Sequence, residues 1–578
     1  MSELNEQAAA EFAQGLADSG LRLVCISPGS RSGPLAIAFA RHPSLQTWTH
    51  VDERSSGFFA LGLAKRSGDP VVVLTTSGTA AAELHPAVLE AHHSRTPLVV
   101  VTADRPPEGR DSGANQTTDQ RRLFGDATRW SADPGPPDGA QPPWLWYRIA
   151  SRAVSASTQP VAGPVHVNLA FREPLLGRDD AGGRRSPAER RPLNVHAGVR
   201  TPSEGAIARL VSLIEAARRP FIHVGSLPAW SAQESLAPLT ARSPLVVHAE
   251  PTSQLRRPDI SGLVTSTESL LREERFASAH APDLVIRIGA APTSRVTAEW
   301  LLDSRPKHVV LLDPDGSWLD PAYLATEVIQ ADLGVTLRQL AERVRPGDGR
   351  EWQAEWLEAD RRGARAVERA LDTTPLFEAH AVRALAHALP AEATVVVGSS
   401  LPVRDVDWFW PPDKRRFVAN RGLSGIDGFA STALGAAAAG TGEPIVALCG
   451  DLTLYHDMNG LLAASKHGRG VTFVVLNNCG GGIFAHMPES QRTDVFDSVF
   501  ATPIGLDFAK VADLYGLAYA KAEHADALPS VIAAALGEQG SSLIEVHFSR
   551  EASVSGHRTL WAAASSAIRA APGSARET

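Results

Sequence analysis

The feature that most limits this chain's fold is a short apolar run, repeated many times, that ends each time on small polar residues. LRLVCIS, VVVLTTSG and PLVVVTADRPP occur early, PFIHVGS, SPLVVHAE, PDLVIRIGA and HVVLLDPDG in the middle, and ATVVVGSS, IVALCGD, VTFVVLNN and SLIEVHF late. These runs do not alternate polar with apolar residues, so both faces of each strand must be covered. Segments of helical periodicity such as RSSGFFALGLAKRSG and TAAAELHPAVLEAHH stand between them. Strand, helix and strand in this order predict an α/β chain of doubly wound domains with mostly parallel sheets.

Length and punctuation predict three such domains. A chain of 578 residues is too long for a single core, at roughly 150 residues per domain. The first series runs over 1–180 and closes around GPVHVNLAF, and REPLLGRDDAGGRRSPAERRPLN then reads as an interdomain linker. The second covers 195–345 and stops near RVRPGDGREW, and the third covers 375–578. A net charge of −8 excludes a global basic field for nucleic acid or anionic membrane. Cys25, Cys449 and Cys479 form no CxxC pair, which argues against a zinc site or disulfide framework. The N-terminal MSELNEQAAAEFAQGLADSG lacks the basic start and apolar core of a signal peptide, and no apolar run reaches about 20 residues. A cytoplasmic location is expected.

In doubly wound sheets ligands bind beyond the carboxyl ends of strands. IVALCG ends on Asp451 and VTFVVLNN on Asn478, 27 positions later, the length of one crossover. A carboxylate, an amide oxygen and a backbone carbonyl near Gly480 are hard oxygen ligands, which suit Mg²⁺ completed by substrate phosphates and water. The glycines at 480, 481 and 482 would let a diphosphate approach the backbone. The alternative is that Asp451 caps a helix and the asparagines turn a loop. GAAAAGTG at 435–442 lacks the Lys-Ser/Thr of a P-loop, and no GxGxxG opens a strand–helix turn, so ATP hydrolysis and nicotinamide binding are weak candidates.

GD, about 26 residues and NN resembles the diphosphate-binding motif of thiamine-diphosphate-dependent enzymes. Leu452 departs from the glycine usual there. With HDMNGL, NNCGGGIF, SPGSRS, HVDERS, TTSGTA, TADRPPE, GANQTTDQ and NRGLSGIDG, it is similar to one branch, the 2-succinyl-5-enolpyruvyl-6-hydroxy-3-cyclohexene-1-carboxylate (SEPHCHC) synthases of menaquinone biosynthesis. The resemblance covers both outer domains and implies a thiamine-diphosphate-binding fold. The first domain would bind the pyrimidine and the third the diphosphate. The implied reaction is decarboxylation of 2-oxoglutarate and 1,4-addition of the resulting succinyl carbanion to isochorismate. Another 2-oxo acid ligase or decarboxylase, resembling acetolactate synthase, is the alternative in the same fold. A non-catalytic regulatory subunit is a third reading, disfavoured by intact Glu53, Asp451 and Asn478.

By resemblance, Glu53 shifts the cofactor's aminopyrimidine to its imino tautomer, which asks for a glutamate in an apolar setting. Read alone, Asp52 and Glu53 could simply favour a helix N-terminus. Ile426 matches the bulky wedge beneath the bent cofactor, although an ordinary buried isoleucine would read the same. Thr79, Ser400, Asp451, Leu452, Asn478, Gly480, Gly481 and Ile483 complete the implied cofactor site, with Asp451, Asn478 and Gly480 around Mg²⁺, or Mn²⁺ in its place. Arg31, Arg105, Arg295, Arg404 and Arg421 are implied cations for the substrates' carboxylates, where bidentate pairing suits arginine. Ser30, Asn115, Gln116 and Ser400 are implied neutral donors. The family pattern further implies a homodimer or a dimer of dimers, with the active site between subunits.

Overall fold

The computed structural model describes residues 1–142, 144–177, 193–228 and 236–569. Most of the expected linker (178–192), the first domain's limit at 180 and the last residues of the chain lie outside them.

The apolar runs form three six-stranded sheets in which every pairing is parallel. The first contains β1 (Leu23–Ile26), β2 (Gln46–Thr49), β3 (Val71–Thr75), β4 (Leu98–Asp104), β5 (Ser131–Ala132) and β6 (Pro164–Ala170), in the order β2-β1-β3-β4-β6-β5. The middle sheet contains β7 (Pro220–Val224), β8 (Val246–Ala249), β9 (Leu263–Val264), β10 (Leu284–Ile288), β11 (His308–Leu312) and β12 (Glu327–Ile329), ordered β12-β11-β10-β7-β8-β9. The third contains β13 (Thr394–Val397), β14 (Arg416–Ala419), β15 (Ile445–Gly450), β16 (Thr472–Asn477), β17 (Ala518–Ala522) and β18 (Ser542–His547), ordered β14-β13-β15-β16-β18-β17. Strand by strand, the first and third sheets have the same topology. The middle sheet follows the other common doubly wound order.

Four strands carried no signal in the sequence: β5, β9, β12 and β17. All four are sheet edges of two to five residues, and none is buried along its whole length. An edge strand is covered on fewer sides, so it needs no continuous apolar run. By contrast β3, β4, β6, β7, β10 and β16 are buried at every position.

The chain packs as two compact units. One comprises Met1–Ala197, Asn420–Gly442 and Leu454–Val471; the other comprises Gly198–Ala419, Glu443–Thr453 and Thr472–Thr578. In the first unit, the helices Ser2–Asp18 and Leu145–Thr158 cover one face of the first sheet, where Phe12, Leu16, Phe39, Trp146 and Phe171 close the core. The helix Glu53–Ser67 packs closely on Phe429–Ala439. A Cβ on Gly62 would lie 2.1 Å from the Thr432 carbonyl oxygen, and one on Gly435 would lie 2.1 Å from that of Phe59. Glycine at both positions lets the two backbones touch, so the glycine-rich GAAAAGTG stretch has a packing role at its first residue.

In the second unit, Trp352 and Trp356 of the helix Arg350–Leu371 complete a middle-sheet core with Phe221, Trp300 and Ile568. Phe377, Trp410, Val474, Ile544 and Leu560 belong to the core of the third sheet. No helix among the described residues is long and apolar enough to cross a membrane.

Candidate active site

The first unit holds an open cavity of about 690 Å³ at the carboxyl ends of β1 to β4, lined by Ser30, Arg31, Glu53, Thr79, Arg105 and Gln116 among others. Each stands just after a strand or in a loop tied to one. Asp52 caps the helix Glu53–Ser67, its Oδ1 accepting from the Ser55 N–H at 3.1 Å. Glu53, first residue of that helix, is therefore spared the capping role. Burial raises its pKa above the ordinary carboxylate range. Its own backbone N–H works the other way, and the negative charges of Asp52 and Glu83 add to the rise.

Arg31 is buried. Its Nη1 donates to the Phe171 carbonyl at 2.9 Å and its Nη2 to Glu173 Oε1 at 2.9 Å. Arg105 donates to Ser77 Oγ and, at 3.0 Å, to the Gln116 carbonyl. Burial, then the neighbouring Arg31 charge, lowers the Arg105 pKa against the pull of Asp104 and Glu173. Gln116 donates from Nε2 to the Ser77 carbonyl at 2.9 Å. Asn115 is exposed and does not line the cavity.

Two supporting residues escaped the sequence analysis. Gln120, in the GANQTTDQ motif, is buried and accepts from the Gly78 N–H at 2.8 Å, pinning the turn that carries Thr79. Glu173, the ion-pair partner of Arg31, had no signal of its own.

The NRGLSGIDG loop also belongs to the first unit, and a buried ion pair holds it. Lys65 Nζ donates to Glu90 Oε1 at 2.7 Å and to Asn420 Oδ1 at 3.0 Å. Glu90 accepts from the Gly422 N–H at 2.9 Å and from the Leu423 N–H at 2.8 Å. Arg421 and Ile426 ride on this loop, both half-buried, so Ile426 is not an ordinary core residue.

The remaining predicted residues lie in the second unit. Asp451, directly after β15, is 2% exposed. It is held by backbone rather than by a salt bridge, with Oδ1 accepting from the Leu452 N–H at 2.9 Å and Oδ2 from the Gly480 N–H at 2.7 Å. Burial pushes its pKa up to about 6 against those hydrogen bonds. Asn478, directly after β16, is buried, and its Oδ1 has no hydrogen-bond partner among the described residues. Asn477 does turn the loop, its Oδ1 accepting from the Cys479 N–H at 3.2 Å. A buried carboxylate beside an orphaned amide oxygen is a donor set that a hard divalent cation would satisfy. Among the described residues no group of three His, Cys, Asp or Glu side chains is placed to hold a metal ion.

The glycine run also meets close packing within the chain. A Cβ on Gly480 (φ +118°) would lie 2.1 Å from the Ala501 carbonyl oxygen, one on Gly481 2.6 Å from that of Phe500, and one on Gly482 2.2 Å from Asn478 Nδ2. Glycine at these positions lets residues 500–501 and the Asn478 amide pack against the run. Leu452 and Ile483 are half-buried beside this loop in sequence.

Ser400, in a left-handed conformation (φ 74°), precedes the helix Leu401–Phe409 and accepts from Arg404 Nη1 at 2.6 Å through its carbonyl. Arg295 is an exposed group at the start of Arg295–Ser304, ion-paired to Glu299 at 2.7 Å one turn on.

Comparison with known proteins accounts for most strands of the two outer sheets. Residues 6–123 match the family described as thiamine pyrophosphate enzyme, N-terminal TPP binding domain, and 404–546 match its C-terminal TPP binding domain. Proteins named 2-succinyl-5-enolpyruvyl-6-hydroxy-3-cyclohexene-1-carboxylate synthase align along nearly the whole chain. That of Geobacillus kaustophilus (strain HTA426) is 41% identical over 560 residues, 96% of each chain. That of Chloroflexus aurantiacus is 40% identical over 571 residues, 97% of this chain and 96% of the relative. That of Halobacterium salinarum (strain R1) is 40% identical over 567 residues, 94% and 95% respectively. Identity of this degree over such a span places the chain in the 2-succinyl-5-enolpyruvyl-6-hydroxy-3-cyclohexene-1-carboxylate synthase family of thiamine pyrophosphate enzymes.

Proposed function

We propose that this chain decarboxylates 2-oxoglutarate and joins the succinyl unit to isochorismate by 1,4-addition, forming SEPHCHC for menaquinone biosynthesis. The observation that carries the reading is a cavity in which a glutamate of raised pKa stands with two arginines, Arg31 and Arg105, in a chain about 40% identical to synthases of that name. When bound, thiamine diphosphate supplies the electron sink that loss of CO₂ requires. Residues 1–180 serve as the pyrimidine-binding domain, 195–345 as a central domain and 375–578 as the diphosphate-binding domain.

Glu53 would hold a proton at its carboxyl for the aminopyrimidine ring, since burial and two neighbouring carboxylates keep that proton from leaving easily. Thr79, Ser400, Leu452, Gly481, Ile426 and Ile483 would line the cofactor, with Ile426 as the apolar wedge. Asp451, Asn478 and the Gly480 carbonyl would hold Mg²⁺, or Mn²⁺, against its diphosphate. Arg31 and Arg105, helped by Ser30 and Gln116, would receive substrate carboxylates; for Arg31, a substrate would have to displace the exposed Glu173. Arg404 and Arg421 are assigned the same task. Asn115 is exposed and outside the cavity lining, and Arg295 is exposed and paired with Glu299; both keep their assignment from the family pattern.

A homodimer, alone or paired into a dimer of dimers, is the proposed active unit, and the chain's three free thiols accord with a cytoplasmic location. Product analysis with Mg²⁺ and thiamine diphosphate, offering 2-oxoglutarate or pyruvate with and without isochorismate, tests the reaction. SEPHCHC from 2-oxoglutarate is expected; preferential turnover of pyruvate would replace this reading with a smaller-substrate ligase. A monomer fully active in sedimentation and assay would remove the dimer.

A further inference from the structure

Glu378 has no part in the site as read from sequence, yet among the described residues it alone hydrogen-bonds the Asn478 side chain. It opens the helix Glu378–Ala388 and is 0% exposed. Its Oε1 accepts from Asn478 Nδ2 at 3.1 Å and from Ser553 Oγ at 2.9 Å, while Oε2 is buried without a partner. A carboxylate at the first position of a helix interacts favourably with the positive end of that helix, and this helps the fold to tolerate it in the interior.

The chemistry of this contact is one-way. A carboxylate only accepts, so the Asn478 amide must turn its NH₂ towards Glu378. The reverse orientation would set two acceptor oxygens at about the same distance and forfeit the hydrogen bond. Asn478 Oδ1 is thereby left as the atom with no hydrogen-bond partner among the described residues. A second observation supports a shaped slot for this amide. A Cβ at position 482 would intrude to 2.2 Å from Nδ2 and 3.0 Å from Oδ1, so glycine there leaves room for the amide.

We infer that Glu378, steadied by Ser553, is a positioning residue for the divalent cation: it orients the Asn478 amide so that Oδ1 is offered to the metal. The inference rests on the reading of Asp451, Asn478 and Gly480 as the metal site. It makes Glu378, 100 residues from Asn478 in sequence, part of the metal-binding apparatus without being a ligand. Partners of this kind typically change metal affinity by about 10- to 100-fold when replaced.

The test titrates Mn²⁺ into the full-length protein at saturating thiamine diphosphate and reads free Mn²⁺ by electron paramagnetic resonance. Glu378→Gln, which conserves shape but can also donate, is expected to weaken Mn²⁺ by about 10- to 100-fold. Ser553→Ala, which only loosens Glu378, should weaken it by several-fold, and Asn478→Ala should weaken it most. Thermal unfolding of each apo-variant separates misfolding from a binding defect; if Glu378→Gln does not fold, Ser553→Ala decides. Weakening by Asn478→Ala with affinities unchanged in both other variants would overturn the inference alone. Unchanged affinity in Asn478→Ala would overturn the metal-site reading, and the inference with it.

Discussion

The first and third sheets share one strand order, and in both the carboxyl ends of the four corresponding strands carry the candidate residues. Arg31 follows β1, Glu53 follows β2, Thr79 follows β3 and Arg105 follows β4. In the third sheet, Ser400 follows β13, Arg421 follows β14, Asp451 follows β15 and Asn478 follows β16. The scaffold repeats but the chemistry does not. The first sheet presents a half-buried acid among cations in an open cavity; the third presents nearly inaccessible oxygens held by backbone N–H groups. The middle sheet, of a different order, offers only Arg295 on the surface. Strand order supplies places for a site, and side chains decide what happens there.

The sharpest way to break this division is at the acid of the first sheet. Glu53→Gln should slow hydrogen–deuterium exchange at C2 of the bound cofactor by about 10³-fold or more, within the range for removal of a general acid–base, while cofactor binding persists. Exchange at the parent rate, followed by NMR of quenched samples, would leave the first sheet with no catalytic group. The counterpart on the third sheet is structural. Gly480→Ala should cost about 3 kcal/mol, combining left-handed strain with overpacking against the Ala501 carbonyl. Gly442→Ala has the same φ of +118° but nothing within 4 Å, so it should cost only about 1 kcal/mol of strain. Equal losses in Tm would mean that packing against residues 500–501 does not matter.

A third comparison asks whether burial alone, without any ligand, raises a carboxylate. Asp457 is fully buried, and only its Oδ2 is engaged, by the Ser431 N–H at 2.7 Å. Burial pushes its pKa up to about 6 from 3.8. A raised carboxyl stabilises the fold below its unfolded pKa and loses that contribution as pH rises through the folded value. Asp457→Asn should therefore flatten the fall in stability between about pH 4 and pH 6, by up to about 3 kcal/mol. Denaturant unfolding across that range is the measurement, and an unchanged slope would contradict the assignment. The smallest expected effects concern the arginines. Arg31→Lys should raise KM for the 2-oxo acid by about tenfold through loss of bidentate pairing, whereas Arg295→Ala should stay within about twofold, since exposed ion pairs contribute little. A comparable KM change for Arg295→Ala would bring the middle sheet into the site.

Residues at the ends of apolar runs were legible because a strand's carboxyl end and its polar cap are neighbours in sequence. Asp451 and Asn478 were singled out this way, whereas Glu53 and Ile426 were singled out by the family resemblance of the motifs that carry them. Gln120 lay within a quoted motif, but only its contact with Gly78 distinguishes it from Gln116. Glu173 and Glu378 had no local signal, because their partners are 142 and 100 residues away. The glycine run was recognised, but its close packing against residues 500–501 shows only where the chain returns to it.

The sequence by itself determined that this would be an α/β protein of parallel sheets with polar strand ends. Burial on both faces demands continuous apolar runs, and those are written locally. Only the tertiary structure decided that the outer sheets share a strand order and that Arg295 faces solvent. It alone also decided that the Asn478 amide is turned by a distant glutamate. Those outcomes depend on which side chains meet across long stretches of chain, and hydrogen bonding and close packing act on proximity in space.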